Sequence, residues 1–225
     1  MRFRLNDPPF ADRTGRGVVV AVIDSGIHAD HPHVGGIAGG ISLVPDTRED
    51  DLADRLGHGT AVAAAIHEKS PEAALLAVRV FDRRLATTAA LLARAIVWSA
   101  DHGAHLINLS LGTANEAHAE LLGEVVRHAR SCGAWVVSAR EHDGTRWLPG
   151  VLPEAAGVLV DWEYGRDELE LIDLAGQRVF RASGYPRPIP GVPKERNLSG
   201  ISFAVANVSG FLARALEGGL APSAL

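Results

Sequence analysis

The sequence predicts an α/β fold: a three-layer, doubly wound, mostly parallel sheet flanked by helices, with a small peripheral β-hairpin. Three observations carry this expectation. Apolar, β-branched runs alternate along the chain with segments of helical spacing. The connections between them are short, which favours right-handed crossovers and helices on both faces of a sheet. The first strand, Val18–Ile23, is apolar at every position, as in a strand buried on both sides.

The elements follow in order. A Gly- and His-rich loop leads from the first strand to an Ala/Val-rich helix over 58–67, and 74–81 reads as the second strand. Leu91, Leu92, Ala95, Ile96 and Ala100 repeat at helical spacing over 87–102, and Gly103 suits the end of that helix. A third strand covers 105–110, an amphipathic helix 115–131, and a fourth strand 134–138. From 140 to 153 the pattern is that of a loop, and 158–162 suits a fifth strand. The hairpin is expected at 168–173 and 177–182, around Leu174-Ala175-Gly176. Four prolines make 185–193 an extended surface loop, and an apolar helix runs from Ser202 to about Glu217.

With 225 residues, no repeat and no linker, the chain is expected to form one domain over 1–225, its core large enough to need no staple. Lys and Arg number 22 against 27 Asp and Glu, a net charge of −5. That balance gives no electrostatic ground for nucleic acid or an anionic membrane as partner. The one cysteine, Cys132, excludes an intramolecular disulfide and reads as a small packing residue late in a helix. With no apolar stretch near Met1 to serve as a signal peptide, the expected location is the cytoplasm.

Three short segments carry chemistry. Asp24 ends the first strand, at the sheet rim where open α/β proteins place ligands, although a turn-capping role with Ser25-Gly26 would also account for it. His58 lies between Gly57 and Gly59 at a helix start; by itself, such a histidine is more often an ordinary surface group. Ser202 begins the last helix, where free N–H groups favour a developing oxyanion, but where a serine also serves simply as an N-cap. Together, in the order Asp, His, Ser, the three suit nucleophilic acyl transfer.

That order, with its motifs, resembles the subtilisin-like serine peptidases (subtilases). Val20–Gly26 followed by His31-Pro32 resembles the aspartate motif of the family, Gly57-His58-Gly59-Thr60 its histidine motif, and Gly200-Ile201-Ser202-Phe203-Ala204 its serine motif. Ile107-Asn108-Leu109-Ser110-Leu111-Gly112 is similar to its substrate-groove strand. The resemblance implies a triad of Asp24, His58 and Ser202 in a serine endopeptidase, with Ser110, Leu111 and Gly112 binding an extended peptide or protein substrate.

The sequence departs from the family pattern at three places. Ile201 replaces the usual threonine before the serine, and Ala206 replaces a proline four residues after it. The Ala-Gly-Asn segment that supplies an oxyanion donor is also absent; gap-free placement puts His142 at the asparagine position, and Arg140 is a second candidate donor. Only 17 residues precede Val18, so a compact form without a prodomain is expected, and maturation of a ribosomally made precursor peptide is a role suggested by analogy. The rival expectation is a catalytically impaired pseudoprotease that binds peptides. No cofactor or metal is expected. The alternating His28, His31 and His33 lack supporting thiolates or carboxylates, and Asp46, Glu49, Asp50, Asp51 and Asp54 read as a solvated acidic loop.

Overall fold

The computed structural model describes every residue of the chain except Ala175. Seven parallel strands form the body of one sheet: β2 (Val19–Asp24), β3 (Gly39–Ser42), β4 (Ala74–Arg79), β5 (Leu106–Leu109), β6 (Trp135–His142), β8 (Ala156–Asp161) and β10 (Gln177–Ser183). Their order is β10-β8-β6-β5-β2-β4-β3. The chain leaves β2 towards β4, then crosses to β5 on the opposite side of β2. This reversal opens a crevice between β2 and β5 at their carboxyl ends, where doubly wound sheets bind ligands.

Two helical layers cover the sheet. Helices α1 (His58–Lys69) and α4 (Ile201–Glu217) pack on one face, and α2 (Ala89–Asp101) and α3 (Ala119–Ser131) on the other. The pleat of β2 divides its side chains between them, Val20 and Val22 facing the α1/α4 core and Ala21 and Ile23 the α2/α3 core. This double burial explains why the run is apolar throughout.

The fold class is as expected, with four corrections of detail. The hairpin of β9 (Glu168–Leu174) and β10 is part of the main sheet, because β10 pairs in parallel with β8 while β9 runs antiparallel beside it. An unanticipated β1 (Arg2–Arg4) covers the outer edge of β9. The segment expected as loop from residue 140 is instead strand as far as His142, then turns through Asp143-Gly144 into the short β7 (Thr145–Arg146). Asp143 and Gly144 both have positive φ, the geometry of a tight hairpin turn. Cys132, expected in the core, is exposed.

The α1–α4 contact contains a buried ammonium. Lys69 is 1 % exposed, with Nζ 3.2 Å from Glu68 Oε2, and Glu68 is also paired with Arg166. Burial pulls the Lys69 ammonium down to about 8, with Glu68 offsetting only part of the effect. The folded state therefore releases its proton before the unfolded chain does, and stability rises as pH climbs from about 8 towards the ordinary lysine value of 10.5. We expect Lys69→Met to gain most over the wild type at neutral pH. In denaturant unfolding across that window, its advantage should shrink by on the order of 3 kcal/mol.

Candidate active site

Asp24 and His58 meet at the end of β2. The Asp24 side chain is fully buried; His58 Nδ1 lies 2.8 Å from its Oδ1 and 2.9 Å from its Oδ2, and the Ser25 N–H donates to Oδ1 at 2.8 Å. Two glycines make this approach possible. Gly57 has φ 79°, the left-handed region that side chains disfavour, and turns the chain into α1 so that His58 is its first residue. A Cβ on Gly59 would lie 2.1 Å from the Gly26 carbonyl oxygen and 3.1 Å from Asp24 Cβ. Burial pushes the imidazole pKa down, but the hydrogen bond and charge of Asp24 outweigh it, leaving His58 above the ordinary histidine value.

A second carboxylate, Asp54, holds this arrangement in place. Its Oδ1 accepts from the Leu56 and Gly57 N–H groups at 2.9 and 2.8 Å, and its Oδ2 accepts from the Thr60 N–H at 2.8 Å and the Thr60 hydroxyl at 2.6 Å. Ser25 Oγ lies 2.8 Å from Asp54 Oδ1 and 3.2 Å from Asp24 Oδ1, and it accepts the Gly59 N–H at 3.0 Å. Asp54 thus caps α1, whose own N-cap glycine has no side chain to do so. Burial alone would raise the Asp54 carboxyl, yet its donors hold it below the usual carboxylate range. The solvated-loop reading of the acidic stretch fails here, and again at Asp51, which is 2.9 Å from the fully buried Arg79 guanidinium.

Ser202 is the second residue of α4, and Gly200 occupies the N-cap, so its hydroxyl is not a helix cap. It donates to the Ser110 carbonyl oxygen at 3.0 Å, and the Ser110 hydroxyl donates back to the Ser202 carbonyl at 3.3 Å. The link continues inward, Asn108 Nδ2 donating to Ser110 Oγ at 2.8 Å and Ser209 Oγ to Asn108 Oδ1 at 3.0 Å. Phe203, next to Ser202, packs its ring 5.7 Å from the His58 ring. The start of α4 and the start of α1 therefore share one rim, although no hydrogen bond joins Ser202 Oγ to His58.

Two open cavities line this rim. One, of about 670 Å³, lies beside Leu111 and Gly112 and is walled by Phe81, Leu85, Leu92 and Leu121. The Thr113 and Leu148 backbones bond reciprocally at 3.0 and 2.9 Å, but the Leu111 and Gly112 backbones make no hydrogen bond among the described residues. The other cavity, of about 490 Å³, is lined by His28, His31, His33, Arg187, Arg196 and Leu198. The proline-rich loop forms part of its wall, held by Arg187 Nη1 donating to the His33 carbonyl at 3.2 Å. His31 and His33 pack edge to face, their ring centroids 5.2 Å apart.

The candidate oxyanion donors are not bonded to Ser202. His142 ends β6 with its Nε2 3.4 Å from Asp143 Oδ2, and Arg140 Nη1 donates to Gln177 Oε1 at 2.5 Å. The hairpin into β7 replaces the strand end that the gap-free placement assumed.

A three-layer α/β protein with a buried carboxylate–imidazole pair and a helix-start serine at the switch point has the layout of a serine hydrolase. The profile of the Subtilase family matches residues 15–148, and the chain belongs to that family. It is 33 % identical over 220 residues to a thermostable alkaline protease of Halalkalibacterium halodurans, covering 88 % of this chain and 56 % of that protein. It is 31 % identical over 221 residues to thermitase of Thermoactinomyces vulgaris, covering 88 % and 76 % respectively. The chain thus spans little more than half the length of the first of these relatives. A cold-adapted subtilisin-like serine proteinase of known crystal structure shares the fold with a TM-score of 0.71 and 22 % identity, over 95 % of this chain and 81 % of that one.

Asp54→Ala should leave the Thr60, Leu56 and Gly57 N–H groups without their acceptor. We expect a loss of about 2 kcal/mol in urea unfolding, and a loss below about 0.5 kcal/mol would remove Asp54 from this role.

Proposed function

We propose that the protein is a serine endopeptidase in which Asp24, His58 and Ser202 act together. The observation that carries this reading is the buried Asp24–His58 pair on the rim from which α4 presents Ser202. Serine χ1 has three staggered wells, so rotation frees the hydroxyl from the Ser110 carbonyl and turns it to the imidazole. Ser202 Oγ then attacks the scissile carbonyl carbon while His58 Nε2 takes its proton. The imidazolium, stabilised by Asp24, returns that proton to the leaving amine, and water hydrolyses the acyl-enzyme by the same path. The Ser202 N–H, at the positive end of α4, faces the developing oxyanion, and His142 is the proposed side-chain donor.

An extended peptide would add as a strand along the free Leu111 and Gly112 backbone, with one apolar side chain in the cavity beside them. The His/Arg-lined cavity flanks the first turn of α1. We further propose that the substrate is a ribosomally made precursor peptide and that the protein works in the cytoplasm, where its single exposed thiol suits a reducing medium. The mechanism requires no cofactor.

Treatment with a fluorophosphonate probe tests the reading directly. The wild type should be labelled and Ser202→Ala should not, and the labelling rate should rise with pH through a pKa above 6.5 as His58 becomes a free base. A wild type that stays unlabelled at high probe concentration would instead indicate a peptide-binding pseudoprotease. Replacing His142 by alanine should lower kcat/KM by about 10²–10³, whereas a change under about threefold excludes it as the oxyanion donor.

A further inference from the structure

We propose a mononuclear transition-metal site, suited to Zn²⁺, formed by Asp101, His128 and Cys132. These residues have no part in the triad or its groove. Asp101 is the last residue of α2, His128 lies in the last turn of α3, and Cys132 is the C-cap one turn further along. The spacing of four between His128 and Cys132 puts both side chains on one face of the helix, towards the end of α2. His128 Nε2 lies 2.7 Å from Asp101 Oδ1, Cys132 Sγ 3.7 Å from the same Nε2, and Sγ 4.0 Å from the same Oδ1. Among the described residues this is the one group of three or more metal-binding side chains whose ligand atoms all lie within 4.8 Å of one another.

The geometry and chemistry suit the ion. Tetrahedral zinc bonds of about 2.0–2.3 Å separate their ligand atoms by about 3.3–3.6 Å. The two distances to sulfur are already close to that range. The His128–Asp101 hydrogen bond would open by less than about 1 Å as the metal takes the place of its proton. A thiolate, an imidazole and a carboxylate form a borderline-soft donor set that favours Zn²⁺ or Co²⁺ over Mg²⁺ or Ca²⁺. On binding, the Cys132 thiol releases its proton to solvent, and water completes the coordination. A second feature also points to a cation: the carboxyl ends of α2 and α3 converge here, so both helix dipoles present negative charge to the site. Because α2 starts at the rim cavity and ends at Asp101, the site lies about 20 Å away, on the opposite side of the sheet ends.

Co²⁺ titration of the full chain, followed by absorption spectroscopy, tests the proposal without using peptidase activity. We expect one Co²⁺ per chain, a near-ultraviolet thiolate-to-cobalt band, and visible d–d bands of tetrahedral intensity. Zn²⁺ should abolish these bands, and excess Mg²⁺ or Ca²⁺ should not. Cys132→Ser should remove the charge-transfer band, and His128→Ala should weaken Co²⁺ binding more than about tenfold. Ser202→Ala should bind as the wild type does, so failure of the catalytic reading leaves this result intact. Asp101 and Cys132 are exposed and His128 is only half-buried, so substitution there leaves the core unchanged. The proposal is overturned if the wild type shows no thiolate-to-cobalt band in excess metal, or if that band is unchanged in His128→Ala.

Discussion

Asp24 carries its carboxylate at a position with no solvent access, and a charge there persists only where hydrogen bonds and an opposing charge replace the lost water. Much of the site is arranged to supply them. The Ser25 N–H donates to Oδ1, the His58 imidazole meets both carboxylate oxygens, and Ser25 Oγ, itself accepting the Gly59 N–H, lies 3.2 Å from Oδ1. This compensation needs the first turn of α1 pressed against the end of β2. Glycine at 59 is therefore a steric requirement, since any Cβ would collide with the Gly26 carbonyl. Asp54 supplies the capping acceptors that keep α1 starting at that point, so a backbone device and an electrostatic one secure the same contact.

Topology explains how Ser202, 144 residues beyond His58, reaches the same rim. Helix α4 is buried along most of its length, with Phe203, Val205, Val208 and Leu212 in the core it shares with α1 and the strands. Its axial position is fixed by polar contacts as well as by packing. The Ser209–Asn108–Ser110 chain ties the middle and start of α4 to the end of β5, the strand next to β2 across the switch point. Asn108 is fully buried, and its amide bridges the two elements through both of its polar atoms. A change at Asn108 would therefore displace Ser202 without touching it.

The fold and the three central residues were legible because each leaves a local mark: an all-apolar strand, glycines on both sides of a histidine, a serine in a small-residue helix start. The order of the three and the groove motif did the rest. Asp54 was not legible in this way. It stands in a run with Asp50 and Asp51 that resembles any solvated acidic loop, and only the fold turns its side chain inward onto the first turn of α1. The β6–β7 hairpin was missed because its sequence, with Arg140, Glu141, His142 and Asp143 in succession, lacks apolar alternation; its pairing comes from the turn at Asp143-Gly144. Cys132 was misplaced because a lone cysteine late in a helix reads as a small packing residue. The end of α3 instead turns it outward, towards Asp101.

Two features of the site bear on how fast the proposed chemistry would run, and they differ in size. The bond from the Ser202 hydroxyl to the Ser110 carbonyl must break before attack, but a neutral hydrogen bond contributes only about 1 kcal/mol net, and the imidazole offers a replacement. The oxyanion segment weighs more, because one missing donor removes about 3–4 kcal/mol of transition-state stabilisation with nothing to replace it. Here the chain that would present such a donor continues into a hairpin, with Arg140 engaged by Gln177 and His142 beside Asp143. The rate of the proposed reaction would therefore depend mainly on the conformation of residues 140–146, with the rotamer of the serine secondary. A peptide that pairs with Leu111 and Gly112 would lie close to that hairpin, since the adjacent Thr113 already pairs with Leu148, two residues beyond β7. Substrate binding and completion of the oxyanion site would then be coupled through one stretch of chain, which would make a slow enzyme selective for peptides able to reshape it.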